Sequence, residues 1–65
     1  MAQDKVTRKE LLNMFVGQTR IFMLKERTKL HSTAVTANRL KKERMGAWEC
    51  RKDYDAISIS VTRVK

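Results

Sequence analysis

The segment ISISVT at residues 57–62 decides the fold, because apolar and hydroxyl side chains alternate strictly along it. A period of two residues is typical of a strand with one face on a core and the other toward solvent. The segment 47–52 alternates as well, with Trp48 and Cys50 on one face. Residues 53–56 between them suit a hairpin loop of about three to five residues. The sequence therefore predicts a β-hairpin over residues 47–64.

Residues 32–45, ahead of this hairpin, have the period of an amphipathic helix. Ser32 is a residue type favoured at helix N-caps, and Gly46 suits a helix stop. At about 100° per residue, the apolar side chains gather on one stripe and Arg39 lies opposite it. The stripe consists of Leu30, Ala34, Ala37, Leu40 and Met45. The polar segment 26–31 before this helix is predicted to be loop-like, with a helical turn as the alternative.

A capping box predicts an earlier helix. Thr7 precedes Glu10 by three residues, so the Thr7 hydroxyl can accept from the Glu10 N–H while the Glu10 carboxylate accepts from the Thr7 N–H. Val6 and Leu11 are placed as a hydrophobic staple around this cap. The helix is expected to end near Gly17. Its inward-facing side chains are predicted to be Leu11, Leu12 and Phe15.

Residues 18–25 are predicted to form a strand with apolar side chains on both faces, as in a strand covered on both sides or lying against a partner. The complete order is then α-β-α-β-β. It predicts a single small α+β domain over residues 1–65, with a three-stranded antiparallel sheet and two helices. Residues 1–5 are expected to fray.

Composition excludes several classes of protein. Cys50 and His31 are the only residues of their types, so the chain can build neither an internal disulfide nor a zinc site of three or four side chains. No cofactor is expected. A lone cysteine without a signal peptide predicts a reducing, cytoplasmic location. No apolar run approaches the roughly 18 residues that a membrane span needs.

The sequence predicts a protein that is not an enzyme. His31 has no neighbour that marks it as a general base, and Cys50 is expected to be a buried, inert thiol. Asp53 and Asp55 suit a turn, where carboxylates accept from backbone N–H groups. The two glycines lie too far apart for a glycine-rich phosphate loop.

Charge provides the functional prediction. Fifteen Lys and Arg residues against seven Asp and Glu give a net charge of +8, which attracts polyanions. Helix 32–45 is the most cationic element, and hairpin 47–64 adds further basic residues. Duplex DNA is the expected partner, with the helix in a groove and the hairpin as a wing on the backbone. The predicted contacts are Ser32, Thr33, Thr36, Arg39, Lys42, Arg51, Lys52, Tyr54 and Arg63.

The order helix, strand, helix, hairpin resembles a reduced winged-helix domain. Winged-helix domains carry two helices after the first strand, the second of which enters the groove, and the segment 26–31 leaves barely one turn for the first of them. The stretch 36–43, the aromatic-containing strand after it and the ending 61–65 also resemble short proteins encoded by phages and mobile elements. This resemblance implies an accessory role, such as control of recombination or transcription.

Two other partners stay open at the level of sequence. The two-sided apolar strand 18–25 and the small core also suit a protein-interaction module, which would dock on an acidic partner or form a homodimer. Single-stranded nucleic acid could bind on a sheet face if aromatic side chains were exposed there. Only Tyr54 of the four aromatic residues is expected to be exposed, so this reading is the weakest.

Overall fold

The computed structural model describes residues 2–65 and confirms the predicted element order. The chain forms α1 (Arg8–Leu12), β1 (Thr19–Met23), α2 (Thr28–Lys42), β2 (Trp48–Asp53) and β3 (Ser58–Arg63). The three strands form one antiparallel sheet in the order β1-β3-β2. The strand with the strictest alternation is therefore the central one.

The helices cover one face of the sheet and leave the other face open. Phe22 of β1 pairs with Ile59 of β3, and Val61 of β3 pairs with Cys50 of β2, so these side chains share the covered face. Leu30 and the other buried side chains of α2 complete the core against them. The core cluster consists of Val6, Leu11, Met14, Phe22, Leu24, Leu30, Ala37, Leu40, Trp48, Ile59 and Val61. The result is a two-layer α+β domain.

The predicted capping box is confirmed. The Glu10 N–H donates to the Thr7 hydroxyl at 3.3 Å, and the Thr7 N–H donates to the Glu10 carboxylate at 3.4 Å. Val6 and Leu11, the predicted staple residues, are both buried. Gln3, which belongs to the 1–5 segment expected to fray, bridges to Leu24 of the sheet. Met1 of that segment lies outside the described residues.

Replacement of the cap residue is expected to weaken the domain measurably. Thr7→Ala removes the acceptor of the Glu10 N–H and should lower the free energy of unfolding by about 1 kcal/mol. Urea unfolding followed by the fluorescence of Trp48 measures the change. Thr7→Ser keeps the hydroxyl and should restore most of the loss. Equal stability of Thr7→Ala and the parent chain would contradict this account of the α1 cap.

The helix α1 is shorter than predicted, and Phe15 does not face inward. Asn13 is the C-cap, and the chain then turns toward β1. The Phe15 N–H donates to the Gln18 side chain at 2.8 Å, and the Gln18 N–H returns a bond to the Phe15 carbonyl at 2.9 Å. This closed turn points the Phe15 ring outward, where 78% of the residue is exposed. The prediction was wrong because it extended the helical period through a turn.

The helix α2 begins one turn earlier than predicted, so Ser32 is not its N-cap. Leu30 is fully buried, and its packing extends the helix back into the segment predicted as a loop. Arg27 stands at the cap without a side-chain bond to the helix. The Ser32 hydroxyl donates instead to the Thr28 carbonyl at 3.4 Å, inside the helix. Tertiary burial has therefore outweighed the local capping signal.

Arg63 fastens one end of the domain. Its guanidinium donates to the carbonyls of Leu12 at 3.2 Å, Met14 at 2.6 Å, Met45 at 3.3 Å and Lys65 at 2.8 Å. It also lies over the Trp48 ring, 5.2 Å from the centroid. We call this arrangement the Arg63 fork. It joins the end of α1, the segment after α2 and the end of the chain.

Candidate nucleic-acid interface

The outer side of α2 is solvent-exposed and mostly polar, with the exposed apolar residue Val35 among its members. Its buried side chains, Leu30, Thr33, Ala37 and Leu40, recur at helical spacing and face the core. The opposite side presents His31, Ser32, Asn38, Arg39 and Lys42, all of them exposed. The fifteen residues of the helix make this surface about 22 Å long.

The helix α1 extends this surface on one flank. The Arg8 guanidinium forms a bidentate ion pair with Glu43, with nitrogen–oxygen distances of 2.9 and 3.2 Å. Because Glu43 lies one helical turn after Arg39, this pair holds the start of α1 beside the cationic end of α2. A shallow groove between the two helices is lined by Lys5, Val6, Thr7, Arg8, Lys9 and Thr36.

We define the basic helical face as Lys5, Arg8, Lys9, Ser32, Thr36, Arg39 and Lys42. The exposed carboxylate of Glu43, one turn after Arg39, is already engaged by Arg8. Within residues 2–65, the only other ion pair joins Lys25 to Asp4. The cations of Lys5, Lys9, Arg39 and Lys42 therefore have no carboxylate within 4.0 Å, which leaves them available to a polyanion.

The hairpin part of the predicted site lies elsewhere. Arg51 pairs with Ser60, whose partner on β1 is Ile21, and all three belong to the open face, on the side of the domain opposite to the helices. Lys52 is half-buried at the edge strand β2, on the covered side. Tyr54 is half-exposed in the hairpin turn, where its carbonyl accepts from Arg27 at the start of α2. The structure therefore does not bring Arg51, Lys52 and Tyr54 together with Arg39 and Lys42.

Two further predicted contacts have structural roles. Thr33 is 1% exposed, and its hydroxyl donates to the Lys29 carbonyl at 2.8 Å. Arg63 uses its donors on four backbone carbonyls in the Arg63 fork. Neither side chain is free to contact a ligand. Sequence spacing did not reveal this, because it does not show which polar groups are satisfied internally.

Of the nine predicted site residues, the basic helical face keeps Ser32, Thr36, Arg39 and Lys42. It adds Lys5, Arg8 and Lys9, which the sequence analysis did not select. A partial signal existed, since Arg8 and Lys9 follow the cap Thr7 directly and so lie on a helix. Their place beside α2 depends on tertiary packing and on the long-range pair with Glu43, which spans 35 residues of sequence.

The open face of the sheet does not suit nucleic acid. Its charged row consists of Glu49, Arg51 and Asp53, so carboxylates outnumber cations there. Phe22 and Trp48 are buried on the covered side, and Phe15 lies in the turn before β1. Tyr54, in the hairpin turn, lines a shallow pocket with Ile21, Arg51 and Ser60 at one end of the open face. This face therefore offers a single exposed aromatic ring for base stacking.

The Cys50 thiol is only partly accessible. Partial burial raises the pKa of Cys50 above its ordinary value, and the nearby Lys52 ammonium offsets part of this effect. The protonated thiol is therefore the favoured form at neutral pH, and a thiol in this form is a poor nucleophile. In residues 2–65, no three His, Cys, Asp or Glu side chains lie close enough to share a metal ion.

This environment predicts slow labelling of Cys50. At pH 8 we expect alkylation of the folded domain to be at least about tenfold slower than alkylation in urea. The same shift makes the stability of the domain depend on pH. Because the pKa of Cys50 is higher in the folded than in the unfolded chain, the contribution of the neutral thiol to folding stability is complete below the unfolded pKa. It is lost as the pH rises through the folded pKa. To measure the rates, alkylation is quenched at successive times and the modified fraction is determined by mass spectrometry. Equal rates with and without urea would contradict the prediction.

Comparison with protein-family models, curated proteins and solved structures gives no match for this chain. The winged-helix resemblance concerns element order, since the described chain has one helix between β1 and β2 where winged-helix domains have two. No helix among residues 2–65 combines the length and the apolar character that crossing a membrane requires.

Proposed function

We propose that the protein binds nucleic acid, with duplex DNA as its preferred partner, and that the basic helical face is the contact surface. The observation that carries this proposal is a set of cations without an ion-pair partner on the exposed side of α2 and around the start of α1. Lys5 and Lys9 line the groove between the helices, and Arg39 and Lys42 lie along the exposed side of α2. The carboxylate of Glu43, one turn after Arg39, is engaged by Arg8.

The residue types on α2 support contacts with both the backbone and the bases of a duplex. Asn38 and Arg39 are exposed neighbours on the outer side, and these side chains can form paired hydrogen bonds with adenine and guanine edges. Lysines on both flanks suit phosphates on either side of a groove. The Thr36 hydroxyl lies in the groove between the helices, although it currently donates to the Ser32 carbonyl at 3.0 Å.

The proposed interface differs from the one predicted from sequence in its second component. The hairpin was expected to serve as a wing, but its exposed arginine lies on the open sheet face. The start of α1 takes this place in the proposal, because it borders α2 directly. We further propose an accessory role without catalysis, since the surface offers charge and shape but no cluster of reactive groups.

Salt-dependent DNA binding tests the proposal. If Lys5, Lys9, Arg39 and Lys42 each neutralise one phosphate, a plot of log K against log salt should have a slope of about −3.6. Fluorescence anisotropy with a labelled duplex of mixed sequence measures it between low and physiological salt. Lys5→Gln combined with Lys9→Gln should reduce the steepness by about 1.8. The same titration with a single strand and with duplex RNA tests the preference for DNA.

Arg51→Gln is the control, because it removes an exposed cation from the open sheet face. Its slope should stay close to that of the parent chain. An absence of saturable duplex binding at low salt would refute the proposed function. Equal loss from Arg51→Gln and from the lysine variants would mean that net charge attracts DNA without a defined surface.

A further inference from the structure

The end of the domain beside the Arg63 fork carries an exposed apolar cluster. Phe15 is 78% exposed and Val16 is 65% exposed, and both lie in the turn between α1 and β1. Met45 and Val64 are about half-exposed. We call these four residues the fork-end patch. None of them belongs to the basic helical face.

Hydrogen bonds link the backbone segments that carry these four residues. The Gly17 N–H donates to the Arg63 carbonyl at 2.6 Å, which ties the turn after Val16 to the residue before Val64. The Arg63 guanidinium contacts the carbonyls of both Met14 and Met45. The reciprocal bonds between Phe15 and Gln18 close the turn itself. Phe15 is therefore presented on an ordered turn, which reduces the entropic cost of binding through it.

A concave groove shares Met45 with this patch and is lined largely by cationic residues. Its lining consists of Lys41, Arg44, Met45, Gly46, Ala47, Arg63 and Lys65. Its volume is about 520 Å³, which is room for a few side chains. A Cβ at Gly46 would come within 2.8 Å of the Trp48 ring and 2.9 Å of the Lys65 carbonyl, so these two groups leave no room for a larger residue at position 46. The ammonium of Lys41 and the guanidinium of Arg44 have no carboxylate within 4.0 Å in residues 2–65.

We propose that the fork-end patch and this groove dock an acidic segment of another protein, one that combines an apolar side chain with carboxylates. The apolar group would pack on Phe15 and Met45, and the carboxylates would pair with Lys41 and Arg44. An exposed aromatic next to basic groups is a common anchor of protein interfaces. A second copy of the chain is disfavoured as the occupant, because each copy carries a net charge of +8.

Concavity favours a peptide segment over a flat lipid surface, since the charged groups line a groove. The patch also differs from the DNA surface in chemistry, because phosphates offer no apolar partner to Phe15. The proposal therefore stands independently of the proposed function. Loss of one binding activity need not accompany loss of the other.

Selection from a displayed library of short random peptides, followed by anisotropy with the selected peptides, tests the proposal. We expect the selected peptides to combine acidic residues with an aromatic or aliphatic residue. Phe15→Ser and Lys41→Glu should each weaken their binding about tenfold or more. Ile21→Ser is the matched control, because Ile21 is a similarly exposed apolar residue on the open sheet face. It should change binding less than about twofold.

Three outcomes would overturn the proposal. One is selection without enrichment of acidic peptides, and a second is equal binding to the parent chain and to Phe15→Ser. The third is Phe15-dependent binding to phosphatidylserine vesicles or to duplex DNA in the absence of peptide binding, which would assign the patch to a membrane surface or to a wedge in DNA. Circular dichroism of each variant verifies that it is folded.

Discussion

Arg63→Met is expected to lower the free energy of unfolding by about 2–4 kcal/mol, a large effect for a side chain that is not part of the apolar core. Methionine keeps much of the length and apolar stem of arginine but cannot donate a hydrogen bond. The substitution therefore removes the bonds to the carbonyls of Leu12, Met14, Met45 and Lys65. It also removes the cation from the Trp48 ring.

The size of this effect follows from the small margin of the domain. At about 0.05–0.15 kcal/mol per residue, a chain of this length has roughly 3–10 kcal/mol in total. Loss of the Arg63 fork would also remove the bonds that link the end of α1 to Met45, and leave the bond from the Trp48 indole to the Leu11 carbonyl as the remaining side-chain tie at this end of α1. Part of the population should then be unfolded at moderate temperature.

Urea unfolding followed by far-UV circular dichroism measures this prediction, since Trp48 fluorescence itself responds to the neighbouring guanidinium. Arg63→Lys should be intermediate, because one ammonium can reach only some of the carbonyls. Arg51→Met on the open sheet face is the control and should change stability by less than about 0.5 kcal/mol. Equal urea midpoints for Arg63→Met and Arg51→Met would show that the Arg63 fork does not stabilise the fold.

Charge reversal on the basic helical face is expected to have the largest effect on binding. Arg39→Glu should weaken binding of duplex DNA by about tenfold or more at low salt, and addition of Lys42→Glu should bring the loss to about 100-fold. Each change removes a phosphate contact and places a carboxylate against the polyanion. The cost to the fold is a few tenths of a kcal/mol, because both residues lie near the C-terminus of α2, where cations interact favourably with the helix dipole.

Arg51→Glu is the matched control for Arg39→Glu. Both substitutions replace an exposed arginine and change the net charge equally, but they lie on opposite sides of the domain. We expect Arg51→Glu to weaken binding less than about threefold. Similar losses from the two variants in anisotropy titrations would contradict the assignment of the surface to the helices.

The local elements of the fold were predictable from sequence because their signals are short-range. Alternation over 57–62 identified the central strand, and the spacing of Thr7 and Glu10 identified the start of α1. The start of α2 was mispredicted because burial of Leu30 extends the helix beyond the attractive cap residue Ser32. Phe15 was mispredicted because its turn is closed by side-chain bonds to Gln18, which the helical period does not report.

The site was only partly predictable, since it depends on which elements become neighbours. The cationic character of 39–42 is evident in the sequence, and Arg39, Lys41 and Lys42 are exposed. Because the hairpin follows α2 closely in sequence, its basic residues were expected to lie beside those of 39–42. The alternation of side chains along β2 instead places Arg51 on the open face. Arg63 donates its hydrogen bonds to backbone carbonyls of the domain itself. The contribution of Lys5 and Lys9 arises from packing of α1 against α2.

The most direct test of the central claim is a map of amide chemical shifts on titration with duplex DNA. We expect the amide signals of residues 5–9, around the start of α1, to shift progressively. The same is expected on the exposed side of α2 for Ser32, Thr36, Arg39 and Lys42. The amide signals of the open sheet face around Ile21, Arg51 and Ser60 should not shift. Shifts concentrated on that sheet face, with the two helices unaffected, would contradict the claim.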